Sequence, residues 1–289
     1  MSPKNKFLLV TALIFAGLGL LLIIQASSFG KLRLIFCDVG QGDGMLIVTP
    51  KGSQFVIDGG PGSRIGECLG QYMPFWDRRI EGMLLTHPQK DHMEGQVEIF
   101  KRYKVERVFA TGIKAQSELY KAWEKSLADE RSKVITVQGG QKIAIGDVTF
   151  DVLWPSVDKI SLWRIAAPRD LNESSIVLRL NFGDPSASSG LKLCAYLTGD
   201  ITREILEGLV DKSCQILKIA HHGSKTGTSE AILNSVNPSV AVIQVGKNSY
   251  GHPHREVLDM LSKKKIKTLR NDLEGDIEVD ATKKSIYVR

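Results

Sequence analysis

Apolar residues recur along the chain in short runs, and polar or glycine-containing turns separate these runs. After residue 30 the first three runs are LRLIFCDV (32–39), GMLIVTP (44–50) and SQFVIDGG (53–60), and Lys51-Gly52 supplies a turn between the second and the third. Runs rich in β-branched and large apolar residues, bounded by turn residues, are typical of strands. This stretch therefore predicts a meander of three strands.

Strand-like runs and helical segments alternate through the rest of the chain. Leu119, Trp123 and Leu127 recur at steps of four and predict a helix over 117–130. Further helices are predicted over 93–103 and 201–210, and a helix, a strand and a helix over 225–262. The other predicted strands are GMLLTH (82–87), KVERVFAT (104–111), SKVITV (132–137), QKIAIGDVTFDVLWP (141–155), SSIVLRLNF (174–182), LKLCAYLTGD (191–200), CQILKIAHHGS (214–224), KIKTLRN (265–271), GDIEVD (275–280) and KKSIYVR (283–289).

Strands dominate both halves of this region, and helices are interspersed in each. Two β-rich halves that each carry helices predict an α/β fold in which two sheets pack face to face with helices outside, an αββα sandwich. PSASSG (185–190) indicates a small-residue loop within a hairpin connection, and no linker divides the sequence. We therefore expect residues 31–289 to form one domain after a separate N-terminal segment, residues 1–30.

That N-terminal segment has the pattern of a membrane anchor. Residues 7–24 read FLLVTALIFAGLGLLLII, 18 residues without a charge. As a helix this run would be roughly 27 Å long, close to the thickness of a bilayer core. Lys4 and Lys6 precede it and favour an inside N-terminus. The sequence predicts an uncleaved single-pass anchor in the cell membrane with residues 31–289 outside the cytoplasm, and a signal peptide cleaved near Gln25-Ala26-Ser27 is the alternative.

Composition fits a globular domain. Hydrophobic residues make up 43% of the chain and charged residues 24%, which excludes a disordered chain. The net charge of +6 is a mild surplus that permits a polyanionic substrate without arguing for one. Disulfides are permitted outside the cytoplasm, yet Cys37, Cys194 and Cys214 lie in strand-like runs and are equally typical of small buried hydrophobic residues. No chemistry is assigned to them.

Residues of the types that bind metal ions cluster after strand-like runs. The segment THPQKDHMEG (86–95) contains three of them on a stretch of six residues: His87, Asp91 and His92. The others each follow a different apolar run: Asp58, Asp200 and the pair His221-His222. Imidazole and carboxylate groups are ligands that a borderline divalent cation prefers. These strand ends therefore predict a metal site, with the 87–92 ligands carried by a tight loop.

Each of these features also has a purely structural interpretation. Segment 86–95 could be a polar surface loop, and a lone aspartate after a strand is commonly a turn former. Asp38, Gln41 and Asp43 in DVGQGDG favour a turn between strands over a loop at the rim of a cleft. The basic run 263–267 is typical of a solvated helix end, with nucleic-acid contact as a secondary interpretation.

Taken together, the motifs resemble a known family. HPQKDH (87–92), the later TGD (198–200) and a histidine after a strand resemble the metallo-β-lactamase fold, and the closer likeness is to the extracytoplasmic hydrolase domain of the ComEC family of DNA-uptake (competence) proteins. The segments that carry this likeness are FCDVGQGDGMLI (36–47), VIDGG (56–60), THPQKDHMEG (86–95), NESSIVLRL (172–180), YLTGD (196–200), LKIAHHGSKTGTS (217–229) and VGKNSYGHPHREVL (245–258). The resemblance implies an αββα sandwich with a hydrolytic metal centre.

The resemblance also implies a ligand set. The metal ligands at matching positions are His87, Asp91, His92, Asp200 and His221. His222 is the alternative to its neighbour as the inward-facing ring, and Asp58 matches a carboxylate that supports the ligand loop. Asn172 and Ser175 lie where other members of the fold place a further histidine.

Two departures from the family pattern affect the number of metal ions. Gln89 stands where ComEC-like domains usually have aspartate, and the further histidine is missing. A site of His87, Gln89 and a shared Asp200 would be poor, whereas the set of Asp91, His92, Asp200 and His221 is complete. We therefore expect one firmly held divalent ion, zinc or manganese, and a second that is weak or absent.

The activity implied is that of a membrane-anchored phosphodiesterase or nuclease. Its substrate would be single-stranded DNA outside the cytoplasm, in DNA uptake beside a separate channel protein or in DNA scavenging. Asp200 would orient water, and His252 and His254 would donate a proton or contact phosphate. A phosphate could also be held by Ser224, Lys225 and Thr226. The alternatives are hydrolysis of another phosphoester, an ester or an amide in the cell envelope, and a metal-poor domain that only binds DNA or a partner.

Overall fold

The structure, a computed structural model, describes residues 30–183, 193–282 and 285–288, together with residues 4, 5, 7, 10–12 and 17. The predicted membrane segment 7–24 therefore lies mostly outside the described residues, and the predicted loop 185–190 lies wholly outside them. Within the described part of the chain, no helix has the length and apolar content needed to cross a bilayer.

The first sheet contains eight described strands in the order β17-β16-β1-β2-β3-β5-β7-β8, and β4 and β6 form a separate short pair. β1, β2 and β3 form an antiparallel meander, as predicted, and β3, β5, β7 and β8 run parallel. The strands are β1 (Leu32–Phe36), β2 (Gly44–Val48), β3 (Gln54–Asp58), β4 (Arg79–Ile80), β5 (Gly82–Leu84), β6 (Lys104–Val105), β7 (Arg107–Ala110), β8 (Lys133–Thr136), β16 (Ile277–Ala281) and β17 (Ile286–Val288).

The second sheet contains seven described strands in the order β15-β14-β13-β12-β11-β10-β9. β9 to β12 pair antiparallel, and β12 to β15 run parallel. The strands are β9 (Lys142–Ile145), β10 (Val148–Trp154), β11 (Val177–Phe182), β12 (Leu193–Leu197), β13 (Ile216–Lys218), β14 (Val240–Ile243) and β15 (Lys267–Arg270).

Helices pack on the outer face of each sheet and separate it from solvent. One apolar layer joins the first three helices to the first sheet, and a second joins later helices to the second sheet. The helices are α1 (Arg64–Tyr72), α2 (Lys90–Phe100), α3 (Glu118–Glu130), α4 (Val157–Ile165), α5 (Arg203–Glu207), α6 (Glu230–Val236), α7 (Arg255–Lys263) and α8 (Asn271–Glu274), with 3₁₀ turns at Leu171–Ser174 and Ala220–Gly223.

A third apolar layer fills the space between the two sheets. Phe55 of the first sheet contacts Phe150 of the second, with ring centroids 4.9 Å apart, and both side chains are fully buried. Burying a side chain of this size stabilises the fold by about 1.5–3 kcal/mol. The three layers confirm the predicted αββα sandwich.

Several helices differ from the predicted ones. α2 begins at Lys90 instead of Met93, because Gln89 is its extended N-cap and the apolar pattern starts only after the polar first turn. Asp91 and His92 therefore lie on a helix and not on a loop. α5 is shorter than predicted over 201–210, and the strand predicted over 104–111 is divided into β6 and β7.

Three helices were not predicted: α1, α4 and the four-residue α8. In α1 the buried Ile65, Cys68 and Leu69 do have helical spacing, but Gly66 and Gly70 lower its helix propensity and hide the pattern. α4 buries only two side chains and leaves large apolar residues exposed, so its sequence has no clear apolar face.

All four cysteines form disulfides. Cys37 is bonded to Cys68 of α1, with Cα atoms 5.9 Å apart, and Cys194 is bonded to Cys214, with Cα atoms 4.8 Å apart. The interpretation of three of them as small buried hydrophobic residues is therefore incomplete. Their spacing along the chain gives no sign of these pairs because each bond joins different elements of the folded domain.

We expect the purified protein to show no free thiol with a thiol-specific reagent before reduction. A Cys37→Ser, Cys68→Ser double variant should lose about 3–4 kcal/mol of stability in urea unfolding, because the bond closes a loop of about 30 residues. A matched Ser117→Ala variant, which only removes the N-cap of α3, should lose about 1 kcal/mol. Four reactive thiols in the unreduced protein would contradict this pairing.

Candidate metal centre

The predicted ligand residues gather at one edge of the sandwich, where strands of both sheets end. β3 ends at Asp58, β5 leads to His87, β12 leads to Asp200 and β13 leads to the His221-His222 pair. β3 and β5 are parallel neighbours, and so are β12 and β13, so each pair delivers its following residues to the same edge. The two sheets face each other, and the two sets of residues therefore meet between them.

Two glycines bring the start of α2 against the end of β3. Gly59 donates its backbone N–H to the carbonyl of His92 over 2.7 Å, and Gly95 donates to the carbonyl of Gly60 over 2.9 Å. A Cβ atom on Gly95 would collide with the carbonyl oxygen of Gly59, so this approach requires glycine. The first turn of α2, with Asp91 and His92, is thereby fixed beside the end of β3.

The histidine pair adopts a backbone conformation that glycine normally occupies. His221 and His222 have φ angles of 52° and 53°, and two successive left-handed residues cost roughly 1–2 kcal/mol each. The turn directs the His222 ring inward, where its Nδ1 lies 2.9 Å from the Gln244 carbonyl and its side chain is 2% exposed. The His221 side chain is 27% exposed. His222, rather than the predicted His221, is therefore the ring at the centre.

Four side chains converge closely enough to share one cation. Asp91, His92, Asp200 and His222 each offer a ligand atom, and these four atoms all lie within 4.8 Å of one another. Asp200 is central, because its Oδ2 lies 3.3 Å from the Nε2 atoms of both His92 and His222. Asp91 Oδ2 lies 3.4 Å from His222 Nε2. His221 Nε2 lies farther from Asp200, at 3.9 Å.

Asp58 makes the contacts expected of a supporting carboxylate. Its Oδ2 lies 2.8 Å from His92 Nδ1 and accepts a hydrogen bond from the Thr86 hydroxyl, and its Oδ1 accepts one from the Thr86 backbone N–H. A histidine whose Nδ1–H donates to a carboxylate presents Nε2 as a lone pair to a metal. This contact therefore fixes both the orientation and the tautomer of His92.

A buried ion pair that the sequence patterns did not predict lies beneath the centre. Lys218, at the end of β13, is 3% exposed, pairs with Asp43 and donates a 3.0 Å hydrogen bond to the Gly199 carbonyl. Asp43 Oδ1 lies 3.3 Å from His222 Nδ1. Asp43 is thus part of the centre and not only a turn residue. A lysine inside a continuous apolar strand was the signal that could have identified it.

The charges in the four-residue group strongly favour an added positive charge. Burial alone would lower the pKa values of His92 and His222, but Asp200 and the other carboxylates outweigh it and hold both well above the usual range. Burial alone would raise the pKa of Asp200, but the two rings hold it well below its usual value. A divalent cation would be attracted by the same negative field that retains protons on the rings.

Unpartnered polar atoms support this interpretation. His92 Nε2, His222 Nε2 and Asp200 Oδ1 are buried and have no hydrogen-bond partner. A buried polar atom without a partner costs about 1–3 kcal/mol, more when it is charged. Two imidazole nitrogens and carboxylate oxygens are suitable ligands for zinc and manganese. The residues present therefore fit one divalent cation.

Residues predicted for a second cation lie beside this group, but the group of four does not include them. His87 is buried, with Nδ1 3.1 Å from the Thr86 hydroxyl and 3.2 Å from the Ser175 hydroxyl, and its Nε2 has no partner. Burial, followed by the charge of His92, lowers the pKa of His87 to about 3, so its ring is neutral at pH 7. Gln89 is partly buried at the start of α2, and the side-chain oxygen of the buried Asn172 has no partner.

An open cleft of about 610 Å³ lies over the four-residue group. Its walls include Gln41, Gln89, Asp91, His221, His222, Lys247, Tyr250 and His252.

Burial, followed by the charge of His221, lowers the pKa of His252 to about 4, so this ring is neutral at pH 7 and is a poor proton donor there. His254 is the N-cap of α7 and lies against His252, with ring centroids 5.2 Å apart.

The predicted phosphate-binding triplet is not part of this cleft wall. Ser224 is buried and its hydroxyl lies 3.0 Å from that of Thr226, so the two satisfy each other within their own loop. Lys225 and Thr226 are exposed beside the turn that carries His222.

Comparison with curated proteins finds bacterial relatives, among them Competence protein ComA of Neisseria gonorrhoeae, which is 30% identical over 70% of this chain. The chain is 32% identical to ComE operon protein 3 of Bacillus subtilis over 94% of its own length, and 27% identical to Recombination protein 2 of Haemophilus influenzae over 84%. It spans only 36% and 28% of the lengths of these two relatives. No protein-family model matches the chain.

Solved structures share the fold at low sequence identity. The metallo-β-lactamase-fold protein YhfI from Bacillus subtilis aligns with a TM-score of 0.52 at 11% identity, over 82% of this chain and 95% of that one. CmlA, a diiron β-hydroxylase from Streptomyces venezuelae, aligns with a TM-score of 0.55 at 14% identity, over 87% of this chain and 54% of that one. Such different proteins on one fold mean that the fold alone does not define the reaction.

The adjacent histidines provide a matched test of the ligand set. His222→Ala should lose bound zinc or manganese, with affinity falling by more than the roughly 10–100-fold typical of outer partners, because its Nε2 belongs to the group of four. His221→Ala should retain the metal. Metal content by mass spectrometry and affinity by competition with a chelator would measure both. If His221→Ala lost the bound metal and His222→Ala retained it, His221 and not His222 would be the ligand.

The buried Asp43–Lys218 pair predicts non-additive effects on stability. Lys218→Met and Asp43→Asn should each cost about 3–5 kcal/mol in urea unfolding, because each leaves the partner charge buried without compensation. The double variant should be more stable than Lys218→Met alone, since no unpaired charge remains in the pair. If the double variant lost the sum of the two single-variant losses in free energy of unfolding, the two side chains would not stabilise each other.

Proposed function

We propose that this protein is a metal-dependent hydrolase of phosphodiesters that acts on single-stranded DNA. Its sequence belongs to the ComEC family of competence proteins, and it has the metallo-β-lactamase fold. The observation that carries this proposal is the group of Asp91, His92, Asp200 and His222 beneath an open cleft, in which the Nε2 atoms of both rings are buried without a hydrogen-bond partner. A group that only stabilised the fold would be expected to satisfy these atoms internally.

The roles of the chain's own residues follow from their contacts. A bound divalent ion would supply Lewis acidity, lowering the pKa of water towards about 7 and stabilising charge that develops on a phosphoryl oxygen. His92 and His222 would hold that ion, each fixed through its Nδ1 atom. Asp200 would also hold the ion and would accept a hydrogen bond from a water molecule at the site, since its Oδ1 is buried without a hydrogen-bond partner.

The cleft has the side chains that a nucleic-acid strand requires. Tyr250 is 69% exposed and its ring lies 5.8 Å from that of His252, so it offers an aromatic face on which a base could stack. Lys247 and Lys90 line the same cleft and could pair with backbone phosphates. The names of two relatives, Recombination protein 2 and Competence protein ComA, agree with a DNA substrate.

An extracytoplasmic location completes the proposal. Residues 7–24 would anchor the protein in the membrane, and the remainder would lie outside the cytoplasm. The two disulfides support this location, because such bonds persist in oxidising compartments and are rare in the cytosol. The protein would then act on DNA before the strand enters a separate channel, or on DNA scavenged outside the cell.

The function can be tested with the purified full-length protein in detergent. Manganese or zinc should activate cleavage of a single-stranded oligonucleotide, and Asp200→Asn should lower the rate at least about 100-fold. Asp129→Asn, on the exposed face of α3, is the matched control and should leave the rate unchanged. Gel analysis of the products would measure the rates.

Two other substrates separate the proposal from its alternatives. Cleavage of a β-lactam or a simple carboxylic ester at a higher rate than any phosphodiester would overturn the assignment of substrate. No metal-dependent hydrolysis of any of these substrates, together with metal-independent DNA binding, would indicate a binding domain instead.

A further inference from the structure

Two large aromatic side chains lie side by side on the surface, far from the metal centre. Phe75 is 71% exposed and Trp76 is 49% exposed, and their rings contact edge to face with centroids 4.7 Å apart. Both belong to the loop between α1 and β4. The two rings contact each other, and their position far from the metal centre means that a role in that centre does not explain why they are exposed.

The loop that carries this aromatic pair lies at the opposite end of the first sheet from the metal centre. Asp77, the next residue, accepts a 2.9 Å hydrogen bond from the side chain of Gln54. Gln54 is the first residue of β3 and Asp58 is the last, so the two ends of this strand are separated by roughly 13 Å at about 3.3 Å per residue. Asp58 contacts the metal centre, and Gln54 contacts the aromatic loop.

The N-terminal segment joins the domain at this same end. Gly30 donates its backbone N–H to the carbonyl of Pro50 over 3.1 Å. Pro50 follows β2, whose opposite end at Gly44 pairs with Asp58. Five residues lie between Ile24, the end of the apolar run, and Gly30, so six Cα-to-Cα steps join the two positions. Even fully extended, they reach roughly 20 Å, so an anchored domain would be held with this end close to the bilayer.

We propose that Phe75 and Trp76 insert into the boundary between headgroups and acyl chains of the bilayer that holds residues 7–24, so that the cleft faces away from the membrane. This inference rests on the membrane anchoring in the proposed function. Trp is enriched at this boundary because its ring is apolar and its N–H is polar. The pair would act as a second contact that orients a domain held by a single tether.

The charges around the aromatic pair are compatible with lipid headgroups. Lys104 is exposed next to the loop and could contact phosphate groups, whereas the exposed Arg78 donates a hydrogen bond to the Tyr103 hydroxyl and lies over its ring. Arg79 is paired with Glu81 and Glu106, so it contributes little net charge. The attraction to the membrane therefore depends mainly on the two aromatic rings.

Another exposed apolar surface provides an internal control. Ile165, at the end of α4, is 88% exposed. Trp154, which precedes α4, pairs with Val177 of β11, and Ser175 contacts His87, so both connections of α4 lie at the metal-centre end. In the proposed orientation Ile165 is held away from the bilayer, although it is more exposed than Trp76.

Tryptophan fluorescence with brominated lipids tests the orientation directly. The full-length protein would be reconstituted into phosphatidylcholine–phosphatidylglycerol vesicles with and without brominated acyl chains. The chain has four tryptophans and none in residues 1–30, and Trp123 and Trp163 are buried. We expect brominated lipid to quench part of the emission, and Trp76→Phe should lose most of that quenching. The double variant Trp76→Phe, Ile165→Trp should recover tryptophan emission, but brominated lipid should not quench the recovered emission.

The outcomes distinguish this inference from the anchoring on which it rests. Protein that does not float with the vesicles would overturn both. Protein that floats with them but shows the same quenching with and without Trp76, or stronger quenching with Ile165→Trp, would overturn the orientation alone. DNA cleavage would be measured separately with the same preparations, so that the proposed activity is tested independently of the orientation.

Discussion

The strand-end edge concentrates more buried negative charge than a protein interior accepts without compensation. Asp43, Asp58 and Asp200 are 4%, 0% and 1% exposed, and burying a carboxylate costs several kcal/mol even after relaxation. Lys218 compensates Asp43, and His92 lies between Asp58 and Asp200. A divalent cation would complete the compensation that these side chains leave unfinished. The two sheets, the start of α2 and the left-handed histidine turn place the charges around that position.

The architecture also explains why the centre is both rigid and accessible. Asp200 and His222 follow strands of the second sheet, and Asp91 and His92 lie on the first turn of α2, which is fixed against the end of β3. Side chains held in this way lose little freedom on binding a metal. Of the four side chains, Asp91 is the most exposed, at 32%, and it belongs to the wall of the cleft. The centre is therefore enclosed by protein on the Asp58 and Lys218 side and open towards the cleft.

Sequence patterns were sufficient for the layers of the fold and less so for the centre. Alternation of strands and helices predicted the αββα sandwich, and the residues after the strands predicted where polar groups would meet. Which ring of His221-His222 turns inward depends on two left-handed φ angles that no local pattern encodes. The Asp43–Lys218 pair joins residues 175 positions apart, and both disulfides join different elements, so only the tertiary structure reveals them.

Anomalous diffraction from crystals grown with zinc, measured on both sides of the zinc absorption edge, is the most direct test of the proposed centre. We expect a strong peak bounded by Asp91, His92, Asp200 and His222, with at most a weaker peak near His87. A peak coordinated by His221 in place of His222, or no peak at this edge of the sandwich, would contradict the proposal that these four side chains hold a catalytic cation.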